Sequence, residues 1–302
     1  MLPTGEQIAI AHGNQRAVIT EVGASLRNFV AGGINVIEGY AAEDLADGAR
    51  GQVMYPWPNR LSSEDWTFSN RVGTPLVDNV AERTLNHGLV RYTPFSIDAV
   101  NQNRCSLSLV LHPSPTYPFA SEIKVDYHLG TLGLTCTITV TNIDTVPIPF
   151  GAGSHPYLAV TTPSIEGATL HVPAKSYVNV NDRLLPTGTI SPVIGTDRDF
   201  LTPKSVSGVV LDVTYTDFLR DDNGMATFTV TDAEGRSVEI AMDRNFPYAC
   251  VYTGDTREPG RRRTSIAIEP MTCAADAFHT GKDILVLEPG QHWAGSWRMR
   301  RL

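Results

Sequence analysis

The stretch SEIKVDYHLGTLGLTCTITVTN, residues 121–142, decides the reading of the fold. In its first half Ile123, Val125, Tyr127 and Leu129 fall on one face, and Glu122, Lys124, Asp126 and His128 on the other. In its second half Leu134, Cys136, Ile138 and Val140 alternate with Thr135, Thr137, Thr139 and Thr141. A period of two is the signature of a strand with one buried face. The intervening GTLG, residues 130–133, reads as a hairpin turn, which makes the two strands antiparallel neighbours.

The same period recurs elsewhere. Phe228 and Val230, then Val238 and Ile240, flank the turn DAEGR as a second hairpin, and CSLSLVLHP, residues 105–113, gives a further strand. Helical signal is weak: AAEDLADGAR, residues 41–50, predicts one short helix, and no longer segment carries a 3.6-residue period. With 20 prolines and 25 glycines in 302 residues, turns are frequent. Short strands, many turns and few helices predict an all-β chain built as a large antiparallel β-sandwich. No linker, repeat or low-complexity segment divides it, so residues 1–302 are read as a single domain.

Bulk properties narrow the function. Hydrophobic residues make up 42% of the chain, enough for a sizeable core. A net charge of -8 argues against a nucleic-acid partner, which needs concentrated positive surface, and fits a protein handling a neutral small molecule. No apolar run approaches the roughly 18 residues of a membrane span. The opening MLPTGEQIAIAHGNQ has neither the basic nor the apolar region of a secretory signal. Cys105, Cys136, Cys250 and Cys273 are scattered, form no CxxC pair, and are read as buried thiols in a reducing, cytoplasmic setting.

Chemistry is expected where polar residues interrupt apolar context. In MYPWPNRLSSEDWTF, prolines stiffen the approach to Asn59 and to the donor fork of Arg60; by itself the stretch reads first as a surface loop with a structural salt bridge. His87 precedes Gly88, which admits a close backbone or ligand, although a turn histidine fits too. In GAGSHPYLAV, residues 151–160, Gly151 and Gly153 admit close approach and Pro156 restricts His155, which reads either as a satisfied semi-buried histidine or as a proton donor. In LDVTYTDF, Asp212 and Asp217 around Tyr215 suit sugar hydroxyls and C–H patches, or a solvated edge strand. In SIAIEPMTCAADAF, Glu269 stands at the end of a buried strand; burial would raise its pKa and make it a better base, unless an arginine pairs with it.

Taken together, NRL (59–61), NHG (86–88), SHPYL (154–158), LDVTYTDF (211–218), VYTGD (251–255) and IEPMTCAADAFHTGKDILVLEPGQ (268–291) resemble the aldose 1-epimerase (galactose mutarotase) family in content and order. The resemblance implies a galactose mutarotase-like sandwich with an open sugar cleft. It implies Glu269 as general base and His155 as general acid, with Arg60, His87 and Asp212 binding sugar hydroxyls. Asn59 and Tyr252 fall in matching segments and are placed with the substrate-binding residues. No cofactor and no metal are implied. The partner is a small-molecule sugar, and the chain is taken as a monomer or homodimer. Three positions depart from the family: Leu158 stands where members often have Phe, Ala275 where they have Pro, and His279 where they have Asn. Such changes in a site wall would alter which hydroxyl is accepted.

These residue types suit the reaction. A cyclic aldose opens at C1–O5 when a proton leaves O1 and another reaches O5; a carboxylate and an imidazole on opposite sides of the sugar can do both. The chain has no Gly-rich dinucleotide signature and no compact metal-ligand spacing. Three other readings remain open: a glycoside hydrolase or lyase using Asp212 and Glu269 as its carboxylate pair; a non-catalytic carbohydrate-binding protein; and a hexose-6-phosphate 1-epimerase in which Arg257, Arg261, Arg262 and Arg263 hold the phosphate.

Overall fold

A computed structural model describes residues 1–302 and is built almost wholly of antiparallel β-structure. The expected antiparallel hairpin at 121–142 forms: Ser121–Gly130 pairs with Gly133–Asn142, from Ser121 opposite Asn142 to Gly130 opposite Gly133. Ile123, Val125, Tyr127, Leu129, Leu134, Cys136, Ile138 and Val140 are all buried. The alternation therefore reports a sheet with one face on the core and one toward solvent. Gly133 takes a φ of 96°, so the turn uses a conformation that glycine adopts without strain.

That hairpin sits inside a nine-stranded sheet, where Gly133–Asn142 is followed by the C-terminal strand His292–Arg301 and then by the second expected hairpin, Ala226–Thr231 with Ser237–Met242. An eight-stranded sheet contains Asp212–Phe218, Tyr248–Tyr252 and Ser265–Met271 as adjacent strands. Residues 7–35 form a four-stranded meander. One continuous core of 59 buried residues joins all three. A polar tie also crosses it: the Trp297 indole N–H of the large sheet donates to Ser154 Oγ at 3.0 Å, one residue from His155.

The short helix expected at 41–50 does not form. Only a single 3-10 turn, Asp47–Ala49, is present, with Gly48 inside it at φ 58°. The acidic side chain of Asp47 is drawn to Arg50 and Arg257 instead of lying on a helical face. The one α-helix, Ala277–Thr280, is four residues long and ends at Gly281 in the left-handed region. A single turn leaves no period for the sequence to display.

Candidate active site

The polar side chains that reach the site are anchored by backbone. Asn59 and His87 both take left-handed conformations, φ 57° and 62°, and are joined by His87 N donating to Asn59 O at 2.7 Å. Two non-glycine residues held this way store strain that the surrounding structure must maintain, a common trait of functional sites. Gly88 follows with φ 74°, and a Cβ there would run into the carbonyl of Tyr55. The glycine is thus needed for backbone approach, not ligand approach. Gly153 likewise meets backbone, with a Cβ 2.6 Å from Pro270 O, whereas a Cβ at Gly151 would lie 2.6 Å from the Cys273 side-chain sulfur.

His155 has both backbone groups fixed: its N–H donates to Gln52 O at 3.0 Å and its carbonyl accepts from Gly51 N at 2.9 Å. Its ring stacks on Tyr157 with centroids 5.0 Å apart and meets the edge of His87 at 5.0 Å. Glu269 lies within the fully buried strand Ser265–Met271 rather than at its end. It stands directly opposite Cys250, so their side chains share a face. No arginine pairs with it. Its close neighbour is His155, whose Nε2 lies 3.2 Å from Glu269 Oε1.

The second half of the site is built around Arg60. Its Nη2 is 3.2 Å from Asp212 Oδ2, its Nε donates to Glu82 Oε2 at 2.6 Å, and its Nη1 donates to Asn59 Oδ1 at 3.2 Å. Asp212 also receives the Cys250 thiol at 3.6 Å from Oδ1. Asp212 opens its strand opposite Tyr252, whose hydroxyl lies 2.8 Å from Thr256 Oγ1. Asn59, Arg60, His87, His155, Asp212, Tyr252 and Glu269 line one open cleft of about 470 Å³.

Electrostatics at the floor are set by exclusion of water. Burial, reinforced by the charge of Asp212, pushes the Glu269 carboxyl well above its usual range, while Arg60 and the Cys250 thiol pull it back. Burial lowers the His155 imidazole to about 3, with Arg91, Arg257 and Arg60 adding to the effect. His87 is lowered as well, by burial and by His155. Both members of the 3.2 Å pair therefore favour their neutral forms. A neutral imidazole beside a carboxylic acid carries the same protons as an imidazolium beside a carboxylate, so one proton shift interconverts them.

Residues 6–300 match the family model for aldose 1-epimerase. The chain belongs to the aldose 1-epimerase family. Among curated relatives it is 27% identical over 289 residues to the uncharacterized protein YihR of Escherichia coli K12, covering 95% of this chain and 91% of that one. It is 24% identical over 239 residues to the chromosomal protein LacX of Lactococcus lactis, covering 76% and 75%. Among solved structures it resembles a GalM/aldose epimerase homologue from C. elegans, with a TM-score of 0.87, 19% identity and 98% coverage of both chains. A galactose mutarotase-like protein from Clostridium acetobutylicum gives a TM-score of 0.83 at 17% identity, covering 97% and 94%. The structural likenesses establish a galactose mutarotase-like sandwich.

Against this family background several expectations change. Tyr215 is fully buried, with its hydroxyl donating to Arg198 O at 3.1 Å, and Asp217 is exposed; neither lines the cleft. Leu158, Ala275 and His279, the departures from the family, also lie off the cleft wall. Leu158 is in the core, and His279 ties the short helix to Asp276 at 2.8 Å and to the Glu64 carbonyl at 2.9 Å. His155 and Glu269, expected on opposite sides of a sugar, stand side by side instead. Sequence reasoning missed Glu82, Tyr157, Arg91 and Cys250. Glu82 and Arg91 sit in charged loops without a motif, Cys250 reads as an ordinary member of an apolar strand, and Tyr157, although inside SHPYL, is given no role there.

Proposed function

We propose that the protein is a mutarotase that interconverts the α and β anomers of a free aldohexose by acid/base ring opening and reclosure. The observation that carries this reading is the 3.2 Å separation of His155 Nε2 and Glu269 Oε1 on the floor of the cleft. O1 and O5 are bonded to the same carbon, so an acid and a base serving both must themselves be neighbours. In this reading Glu269 takes the O1 proton and His155 delivers one to O5. The aldehyde then turns about C1–C2, and the two groups run in reverse to close the ring on its other face. Hydroxyls of the bound sugar, together with Arg60 and the Cys250 thiol, favour the Glu269 carboxylate, although the same Arg60 charge opposes the His155 imidazolium.

Arg60, His87, Asp212, Asn59 and Tyr252 hold the remaining hydroxyls. Both oxygens of Asp212 are engaged, by Arg60 and by Cys250, which supports a binding role over one as the second carboxylate of a glycosidase. The arginine run does not support a phosphate site. Arg257 is bound to Glu38 at 2.9 Å, Arg261 lies near Glu38, Asp44 and Asp47, and Arg263 pairs with Glu166 and Asp255. None of the four lines the cleft. Four free, buried cysteines support a reducing, cytoplasmic setting. No helix is long and apolar enough to cross a membrane.

The test is NMR saturation transfer between anomers on glucose, galactose, arabinose and glucose 6-phosphate. Acceleration on a free sugar supports the proposal. Tight sugar binding with only the spontaneous rate of exchange would point to a non-catalytic binding protein.

A further inference from the structure

The chain shows no compact metal-ligand spacing, yet folding brings His87, His155 and Glu269 together, with one potential ligand atom from each within 4.8 Å of the others. We propose that this triplet binds a divalent transition-metal ion of the Zn²⁺ class, which occupies the sugar's place and blocks the cleft. The competition with sugar rests on the function proposed above; the binding of the ion does not.

Two imidazoles and one carboxylate are a donor set of open zinc sites, with bonds of about 2.0–2.2 Å and a fourth position left for water. Two ligands at a tetrahedral centre with such bonds stand about 3.3–3.5 Å apart. His155 Nε2 and Glu269 Oε1 stand 3.2 Å apart, so they need almost no movement to share an ion. His87 closes from the side, its ring edge-on to that of His155 at 5.0 Å.

The polar atoms here are also short of partners. Glu269 Oε2 and His87 Nδ1 are buried without a hydrogen bond, and Glu269 and His155 are only 2% and 4% exposed. Arg60, the nearby cation, is committed to Glu82 and Asp212. Imidazole donors select first-row transition ions over Mg²⁺ and Ca²⁺, which require more oxygen ligands.

The test uses the full chain after dialysis against EDTA, titrated with Co²⁺ and followed by visible absorption. One equivalent should develop ligand-field bands, and galactose should suppress them. His87→Ala and Glu269→Gln should each weaken Co²⁺ binding at least tenfold while melting cooperatively. His112→Ala, an exposed histidine outside the cleft, should leave it unchanged. In mutarotation assays Zn²⁺ should raise KM without changing kcat, and EDTA should restore the original KM. Binding unaffected by both cleft variants, or no Co²⁺ bands at all, would overturn the metal site. Activity lost on EDTA treatment and regained with Zn²⁺ would overturn the blocking role. The absorption readout stands even if the chain shows no mutarotation, so the two proposals fail separately.

Discussion

Replacing Glu269 by Gln isolates the proposed base from everything else the side chain does. The strand around it is fully buried, and Gln keeps the volume, the planarity and one acceptor oxygen. Because burial already favours the uncharged carboxylic acid, a neutral amide adds no desolvation cost to the fold. Stability should therefore stay within about 1 kcal/mol of wild type, since volume-conserving changes cost little. Catalysis should not be spared. An amide cannot accept the O1 proton, and loss of a general base costs about 10²–10⁴ in rate, or about 3–5 kcal/mol of barrier. Arg60, Asp212 and His87 are untouched, so KM should move by less than about threefold, the mark of an interaction made only in the transition state. Polarimetry of freshly dissolved α-galactose gives kcat and KM against the spontaneous rate, and thermal melting gives stability. A kcat within threefold of wild type would refute the assignment. A large loss of stability would show that the carboxyl is a structural group instead.

Other consequences follow from the same geometry. Activity should be bell-shaped in pH: one proton added to the His155–Glu269 pair leaves no base, one removed leaves no acid, and a rate flat from pH 4 to 9 would contradict the pair. Cys250→Ala removes a thiol that helps ionise Glu269, so the limb reporting the carboxylate should move to higher pH with less than about a tenfold drop in kcat; an unmoved profile would exclude that role. Gly88→Ala should cost about 3 kcal/mol or more, from the positive φ and the clash with the Tyr55 carbonyl, as read by urea unfolding. Burial alone would raise the Glu38 carboxyl, but Arg257, Ser265 and Thr264 hold it down to about 2 from 4.5. Its contribution, on the order of 2 kcal/mol, is present above pH 4.5 and lost as pH falls toward 2; Glu38→Gln should flatten that part of the stability curve.

Much of the site was legible as motifs, and the misreadings have physical causes. Periodicity assigns a residue to a face but not to a depth. Tyr215 and Asp217 therefore looked as suitable for sugar as Asp212, until burial of one and exposure of the other removed them. Glycines signal close approach without naming what approaches; at Gly88, Gly151 and Gly153 it is the protein's own backbone or core. Acidic residues at 41–50 suggested a helix because their partners, Arg257 and Arg261, come from far along the chain.

The sequence by itself determined the local facts: a two-residue period, hence strands with one buried face, and hairpins that make chain neighbours sheet neighbours. These follow from contacts between residues close in the chain, which composition and spacing can express. Only the tertiary structure decided that His155 and Glu269 stand side by side, that Cys250 lies beneath the carboxylates, and that His87 completes a three-ligand cluster. Burial of apolar surface is non-directional, so a strand's pattern states that it must be covered but not by which partner. That choice comes from the register of strands distant in sequence, where Glu269 meets Cys250 and Asp212 meets Tyr252.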